Sequence, residues 1–164
     1  MTIVWFNGPS RQLLIDRLPR QALEIGCNYI SRDRPVDYVC VFDRAVKNKL
    51  EIIPNVNYRT LPRLAHYPHW IPVPNSDNAT NSGMLAVLLA TQLSKEAIYV
   101  IGCDWGLTRD TVYDYGTVFQ RKYNNQSRKY LEDLARNHSI TVVNDQIPDV
   151  TIPVIKINDL PLLI

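Results

Sequence analysis

Short apolar runs alternate with segments of helical pattern along nearly the whole chain. The runs are rich in β-branched and aromatic residues, and most stop at a small, amide or acidic residue. They are Thr2–Phe6, Leu23–Asn28, Asp37–Phe42, Ala97–Ile101 and Ile140–Val143. Strands that are buried on both faces and separated by helices are typical of parallel sheets. The pattern therefore predicts a single α/β, Rossmann-like domain over residues 1–164, with a mostly parallel sheet flanked by helices.

Segments with helical periodicity lie between these runs. Ser10 is expected to cap a helix over Arg11–Arg17, with Leu13, Leu14 and Leu18 on one side of it. The other helices are expected over Arg44–Leu50, Met84–Leu93 and Asn125–Asn137. Because the segment that begins at Met84 is apolar nearly all round, it is predicted to pack beneath the sheet.

The remaining segments are less regular. A short strand is expected near Glu51–Ile53, followed by a loop-rich, aromatic region over Pro54–Pro74. An edge strand is expected within Val150–Ile157, because Pro153 keeps it from central pairing. Residues 144–164 would then form a C-terminal strand and an apolar tail. Such a tail either folds back or forms a subunit contact, and we expect a homo-oligomer through it.

Composition excludes several classes of protein. The net charge is only +2 and no basic stripe is present, so no nucleic acid is expected as a partner. The longest apolar run is too short to span a membrane, and the N-terminus does not have the pattern of a signal peptide. The 3 cysteines have no metal-ligand spacing and are expected to be buried in a reducing compartment. We therefore expect a cytoplasmic protein without a metal site.

Small, amide and acidic residues follow the predicted strands, at the edge of a parallel sheet where ligands bind. Glycine lets a ligand approach the backbone, asparagine and serine form neutral hydrogen bonds, and a helix N-terminus can hold a phosphate. Each residue taken alone is explained by turn formation, but together they predict a site for a polar ligand. The candidates are Asn7, Gly8, Ser10, Asn28, Asp43, Asn81, Ser82 and Gly83. The chain lacks the GxGxxG, GxxxxGK[ST] and GxSxG motifs, which argues against common dehydrogenases, P-loop kinases and hydrolases.

Four short motifs follow one another along the chain. They are Asn7-Gly8-Pro9-Ser10, Cys27-Asn28, Asn81-Ser82-Gly83 and Ile98-Tyr99-Val100-Ile101-Gly102-Cys103-Asp104-Trp105. Over about Thr2–Val143 this series resembles the Rossmann-type bacterial sialyltransferases that use CMP-sialic acid. It is also similar to domains associated with flagellin glycosylation and to the archaeal hydroxymethylpterin pyrophosphokinases.

The resemblance implies a CMP-type nucleotide sugar as substrate. Asn7, Gly8 and Ser10 would lie near its phosphates or ribose, Asn28 would contact the nucleotide, and Ser82 and Gly83 would line the base and sugar. The implied catalytic residues are Asp104 at a strand tip and Tyr113 and Tyr115, which would bind the departing phosphate. A phenol donor there would stabilise the charge that develops on the leaving group.

One departure from the family leaves the reaction open. The family has a general-base histidine shortly before its late helix, whereas Phe119–Asn125 contains no histidine. We expect a glycosyltransferase-like enzyme. A non-catalytic module that binds or sequesters a nucleotide is the alternative. A third possibility is a magnesium-dependent pyrophosphoryl transferase, with Asp43, Asp104 and Asp145 as metal ligands. His66 and His69 lie in the aromatic loop, and His138 is expected at a helix end.

Overall fold

The computed structural model describes residues 1–66, 68–103, 124–145 and 150–162, which form one eight-stranded, all-parallel sheet with helices. The strands are β1 (Thr2–Trp5), β2 (Leu23–Cys27), β3 (Tyr38–Val41), β4 (Asn57–Thr60), β5 (Trp70–Pro72), β6 (Ile98–Ile101), β7 (Ile140–Val143) and β8 (Val154–Ile155). The α-helices are α1 (Arg44–Lys49), α2 (Ser82–Leu93) and α3 (Asn124–Ala135). The predicted α/β class with a Rossmann-like sheet is confirmed.

The strand order is β5-β4-β3-β2-β1-β6-β7-β8. β1 lies between β2 and β6, with Trp5 level with Gly26 on one side and with Ile101 on the other. From β1 the chain proceeds to β2, and from β6 it proceeds to β7, in the opposite direction across the sheet. The β1–β6 boundary is therefore the topological switch point, outside which open α/β sheets bind their ligands.

Helix α2 covers the centre of one face of the sheet, against β1, β2 and β3. Every residue from Ser82 to Ala90 is buried, as predicted for a helix that is apolar nearly all round. Leu131 of α3 joins this layer. The opposite face is covered by shorter segments, whose buried side chains include Leu14, Leu18 and Ile30.

The first crossover is not the predicted α-helix over Arg11–Arg17. It is a 3₁₀-helix, Pro9–Leu13, followed by turns; Gly8 is its N-cap, and Ser10 provides no side-chain cap. Leu14 and Leu18 are buried as expected, but Leu13 is exposed. The end of the segment is held by Arg34, a residue distant in sequence.

Arg34 holds the end of this crossover from outside. Its Nη1 donates to the carbonyls of Ile15 at 2.7 Å and Leu18 at 3.0 Å, and its Nη2 donates to Pro19 at 3.2 Å. Its Nε and Nη2 also donate to the buried carboxylate of Glu24, at 2.6 and 2.8 Å. One guanidinium thus satisfies three carbonyls at the end of the segment and ties that end to Glu24 of β2.

The region between α1 and α2 contains two strands that the sequence reading missed. Glu51–Ile53 is not a strand; β4 and β5 lie instead within the predicted loop region. Tyr58 and Thr60 are the buried residues of β4, and Trp70 is the buried residue of β5. The Tyr58 hydroxyl accepts from the Ile53 N–H at 2.9 Å and so ties the preceding loop to the sheet.

Both outer strands are short and associated with proline: β5 ends at Pro72, and Pro153 directly precedes β8. The predicted edge position of the C-terminal strand is confirmed. The apolar residues Ile152, Ile157 and Leu160 are buried in the core of the same chain, so this part of the tail folds back. Among the described helices, every one is too short or too polar to cross a bilayer.

Candidate functional site

The loops that follow β1 and β6 stay joined beyond the ends of their strands. The Phe6 N–H donates to the Ile101 carbonyl at 2.7 Å, and the Gly8 N–H donates to the Gly102 carbonyl at 2.8 Å. Gly102 has a φ of +80°, and a Cβ built on it would lie 2.9 Å from the Phe6 carbonyl oxygen. Only glycine fits this conformation and this contact. The backbones of the loops after β1 and β6 therefore lie very close to each other beside the switch point.

Arg11 fixes the loop after β1 and is a residue that the sequence analysis missed. Its side chain is fully buried, and Nη1 donates to the Phe6 carbonyl and to Asn7 Oδ1, each at 3.2 Å. Its Nη2 pairs with the carboxylate of Asp33 in the connection after β2. The guanidinium thus joins the loops at the switch point, and it makes the predicted site residue Asn7 part of this network. No local pattern distinguishes Arg11 from a surface arginine.

Asn28 follows β2 in a left-handed backbone conformation, with a φ of +54°. Its N–H donates to the Cys40 carbonyl at 3.0 Å, which extends the pairing of β2 with β3. Asn55 and Asn75 also have positive φ, since asparagine tolerates this region better than most residues. Those two are exposed, whereas Asn28 is only 6% exposed. Burial distinguishes Asn28 from an ordinary turn asparagine.

The N-terminus of α2 is held by its own polar side chains. Asn81 is the N-cap: its Oδ1 accepts from the Met84 N–H at 3.0 Å, and its Nδ2 donates to Ser127 Oγ of α3 at 3.0 Å. Ser127 also shares a 2.7 Å hydrogen bond with the Thr80 hydroxyl. The predicted site residue Asn81 therefore connects α2 with α3 at the carboxyl edge.

Ser82 and Gly83 pack the first turn of α2 against two strand ends. The Ser82 hydroxyl accepts from the Phe42 N–H, immediately after β3. A Cβ on Gly83 would lie 2.5 Å from the ring of Phe6, immediately after β1. Both residues thus have a packing role that accounts for their identity, and both lie at the edge where a ligand is expected.

Two of the three candidate carboxylates lie in the described part of the chain. Asp43 is the N-cap of α1, and its side chain makes no capping bond. Although Asp43 is exposed, nearby protein atoms limit the solvation of its carboxyl, and this partial burial raises its pKa. Asp145 Oδ1 accepts from the Ile157 N–H at 3.0 Å, so it caps the last 3₁₀-helix. The described residues contain no group of three His, Cys, Asp or Glu side chains suited to a metal ion.

The predicted catalytic residues Asp104, Tyr113 and Tyr115 lie outside the described residues. The residues that flank this segment are at the carboxyl edge. Cys103 follows β6, and its carbonyl accepts from Asn144 Nδ2 at 3.4 Å. On the other side, Ser127 of α3 contacts the N-cap of α2.

All three histidines lie toward the amino ends of the strands. His66 forms a two-way backbone bridge with Trp70, and Trp70 is level with Tyr58 near the start of β4. His69 directly precedes Trp70. His138 follows α3 and precedes β7, next to Ser139, whose carbonyl accepts from the first residue of β6. The structure thus puts His66, His69 and His138 at the end of the sheet opposite the switch point.

Comparison of the chain with models of protein families, with curated proteins and with solved structures finds no match. The assignment of a function therefore depends on the chain's own residues.

Proposed function

We propose that this chain binds a CMP-type nucleotide or nucleotide sugar at the carboxyl edge beside the β1–β6 switch point, and that it is a glycosyltransferase-like protein. The observation that carries the proposal is the closely bonded glycine backbone at Gly8 and Gly102, with the buried Asn28 on the adjacent strand. Because Gly8 has no side chain, a phosphate or ribose could approach the backbone there, whereas the side-chain position of Gly102 is filled by Phe6 and Arg11. An amide side chain such as that of Asn28 has both donor and acceptor groups with which to recognise a nucleotide.

A second buried amide supports a polar ligand on the other side of the switch point. Asn144 follows β7 and is 5% exposed. Strand ends from β2 to β7 extend over about 14 Å, because neighbouring strands are ~4.8 Å apart. Asn28 and Asn144 therefore border an edge of a length that suits a nucleotide.

The transfer step of the proposal uses residues named by the family resemblance. Tyr113 or Tyr115 would donate a phenolic hydrogen bond to the phosphate as it departs from the sugar. Asp104, which follows β6 in the sequence, would be the further catalytic residue. These residues belong to the stretch of sequence between Cys103 and α3, and Cys103 and α3 both lie at the proposed site. The three buried thiols suit a reducing compartment, so the proposal includes the cytoplasm as the place of action.

The test compares two asparagines with the same backbone conformation. Asn28→Gly removes the buried amide but allows a φ of +54°, and Asn75→Gly does the same at an exposed turn with a φ of +55°. CMP, CMP-sialic acid, UDP- and GDP-sugars and ATP with magnesium would be titrated by calorimetry and by thermal shift. At a hundred times its Kd, a ligand stabilises the protein by about 2.7 kcal/mol.

We expect cytidine nucleotides to bind the wild type and Asn75→Gly with equal affinity, and Asn28→Gly at least about tenfold more weakly, since a lost hydrogen bond to a buried amide costs about 1.4 kcal/mol. If no nucleotide binds the wild type, the proposed function is wrong. If both glycine variants bind CMP as the wild type does, Asn28 is only a turn residue.

The position of the histidines favours a second candidate, a module that binds the nucleotide without turnover. A glycosyltransferase needs a base to take a proton from its acceptor, and the three histidines lie at the opposite end of the sheet. Release of CMP from CMP-sialic acid, followed by chromatography, separates the two candidates. Turnover that is lost in Tyr113→Phe or Tyr115→Phe would exclude the module. Tight binding with no turnover would exclude the enzyme.

A further inference from the structure

Arg63 lies near the carboxyl end of β3 and is not one of the candidate site residues. It belongs to a 3₁₀-helix, Pro62–Leu64, directly after β4. Its guanidinium carbon is 5.8 Å from the centre of the Phe42 ring. Phe42 in turn donates its N–H to Ser82 in the first turn of α2. Arg63 is therefore next to the part of the proposed site formed by β3 and α2.

Arg63 differs from three other arginines near the sheet, Arg11, Arg20 and Arg34, in its partners. Each of those three pairs with a carboxylate. Arg63 is exposed, and within the described residues no carboxylate lies in salt-bridge distance of it. A guanidinium that contacts a ring can still offer its N–H groups to an oxyanion in bidentate fashion.

We propose that Arg63 is a specificity residue of this site and binds an oxyanion, a carboxylate or a phosphate, on the ligand. The inference rests on the proposed function. From β6 to β3 the edge spans three strand spacings, about 14 Å, which a nucleotide extended by an acidic sugar or by a second phosphate can bridge. With its ribose at the switch point, such a ligand reaches Arg63 with its charged end.

The chain contains a matched control for this arginine. The guanidinium of Arg59 lies over the ring of Tyr38, 5.2 Å from its centre. Tyr38 is the first residue of β3, whereas Phe42 follows its last residue. Arg59→Gln and Arg63→Gln therefore each remove one positive charge and one contact with an aromatic ring, at opposite ends of the same strand.

The experiment measures the affinities of cytidine, CMP, CDP and CMP-sialic acid for the wild type, Arg63→Gln, Arg63→Lys and Arg59→Gln at two salt concentrations. We expect Arg63→Gln to weaken at least one charged ligand about tenfold or more and to change the affinity for cytidine less than twofold. Its remaining affinity should also depend less on salt, which a purely structural role would not cause. Arg63→Lys should recover part of the loss, and Arg59→Gln should behave as the wild type.

The ligands identify the source of the oxyanion. A loss confined to CMP-sialic acid indicates the sugar carboxylate, and a loss confined to CDP indicates the second phosphate. Equal losses for CMP, CDP and CMP-sialic acid indicate the phosphate next to the ribose. The inference is overturned if Arg63→Gln binds all charged ligands as the wild type does, if cytidine is weakened equally, or if Arg59→Gln has the same effect. If the wild type binds none of the four ligands, both the proposed function and the role of Arg63 are wrong.

Discussion

The Oγ atom of Ser82 accepts a hydrogen bond from the backbone N–H of Phe42 at 2.9 Å. Ser82 is the first residue of α2 and is buried, and Phe42 follows the last residue of β3. The bond therefore fixes the helix to the carboxyl end of the strand. Any ligand that contacts Ser82 contacts a hydroxyl already engaged as an acceptor, so Ser82 can offer it a donated hydrogen.

Replacement of Ser82 should reveal this structural role without any ligand. We expect Ser82→Ala to lower the free energy of unfolding by about 1–3 kcal/mol, because the Phe42 N–H loses its acceptor in a partly buried place. Urea unfolding measures the change. Ser94 provides the control, since its Oγ accepts from the Glu96 N–H at the surface, at 3.1 Å. Ser94→Ala should cost less, and equal losses at both positions would contradict the assignment.

Alanine at position 83 should destabilise the chain, although it usually stabilises a helix relative to glycine by up to about 1 kcal/mol. The added Cβ would lie 2.5 Å from the Phe6 ring, which is itself buried. Overpacking of this kind typically costs about 1–3 kcal/mol. A double-mutant cycle with Phe6→Leu should recover part of the loss. A Gly83→Ala variant more stable than the wild type would show that the ring moves aside freely.

Glu24 should make the chain sensitive to acid. Burial raises the pKa of its carboxyl, but hydrogen bonds from Arg34, the Gln21 N–H and Trp5 lower it by more, so its pKa lies below the usual 4.5. The folded state thus favours the ionised form. The resulting stability is fully present above the unfolded pKa and is lost as the pH falls from about 4.5 through the folded pKa.

We expect Glu24→Gln to lose about 3–5 kcal/mol at pH 7, because the buried Arg34 is left without its carboxylate. Unfolding by urea between pH 3 and pH 7 measures both effects. The stability of Glu24→Gln should fall less steeply below pH 4.5 than that of the wild type. Parallel pH profiles would contradict the role given to Glu24.

Cys27 and Cys40 should resist thiol reagents in the folded chain. They are paired in register on β2 and β3, and both are buried. Burial raises the pKa of Cys27 to about 12 and raises that of Cys40 as well, so at pH 8 both remain thiols. In a Cys103→Ser variant, a disulfide reagent should label neither residue until denaturant is added. Rapid labelling of the native protein would show local opening at the carboxyl edge.

The central part of the fold could be predicted because its signals are local. A few consecutive residues are enough to recognise the apolar runs of β1, β3, β6 and β7 and the apolar helix α2. β4 could not be found this way, because Asn57-Tyr58-Arg59-Thr60 buries only Tyr58 and Thr60. The α-helix expected over Arg11–Arg17 was wrong; the end of this segment is held instead by the guanidinium of Arg34, a residue distant in sequence, through the carbonyls of Ile15, Leu18 and Pro19.

The site could be predicted only in part, because only local signals can be recognised in the sequence. Turn residues mark the strand ends, and the structure brings Asn7, Asn28, Asp43 and Asn81–Gly83 to one edge of the sheet. What holds them there depends on residues far apart in the chain, such as Phe6 against Gly83. Arg11 and Arg63 have no local signal at all, since only the folded chain distinguishes a buried or stacked arginine from one on the surface.

The proline-marked outer strands have a consequence for how copies of the chain could associate. β5 has three residues and β8 has two. At the free side of β5 the imide nitrogen of Pro72 has no hydrogen to donate, whereas Pro153 faces β7, where its carbonyl accepts from the Val142 N–H. An incoming strand would find too few donors and acceptors at either margin to form a stable ladder. Growth of a continuous intermolecular sheet, the route by which exposed strands build fibrils, is thus disfavoured at both described margins by the shortness of β5 and β8. Self-association would have to use side-chain surfaces instead.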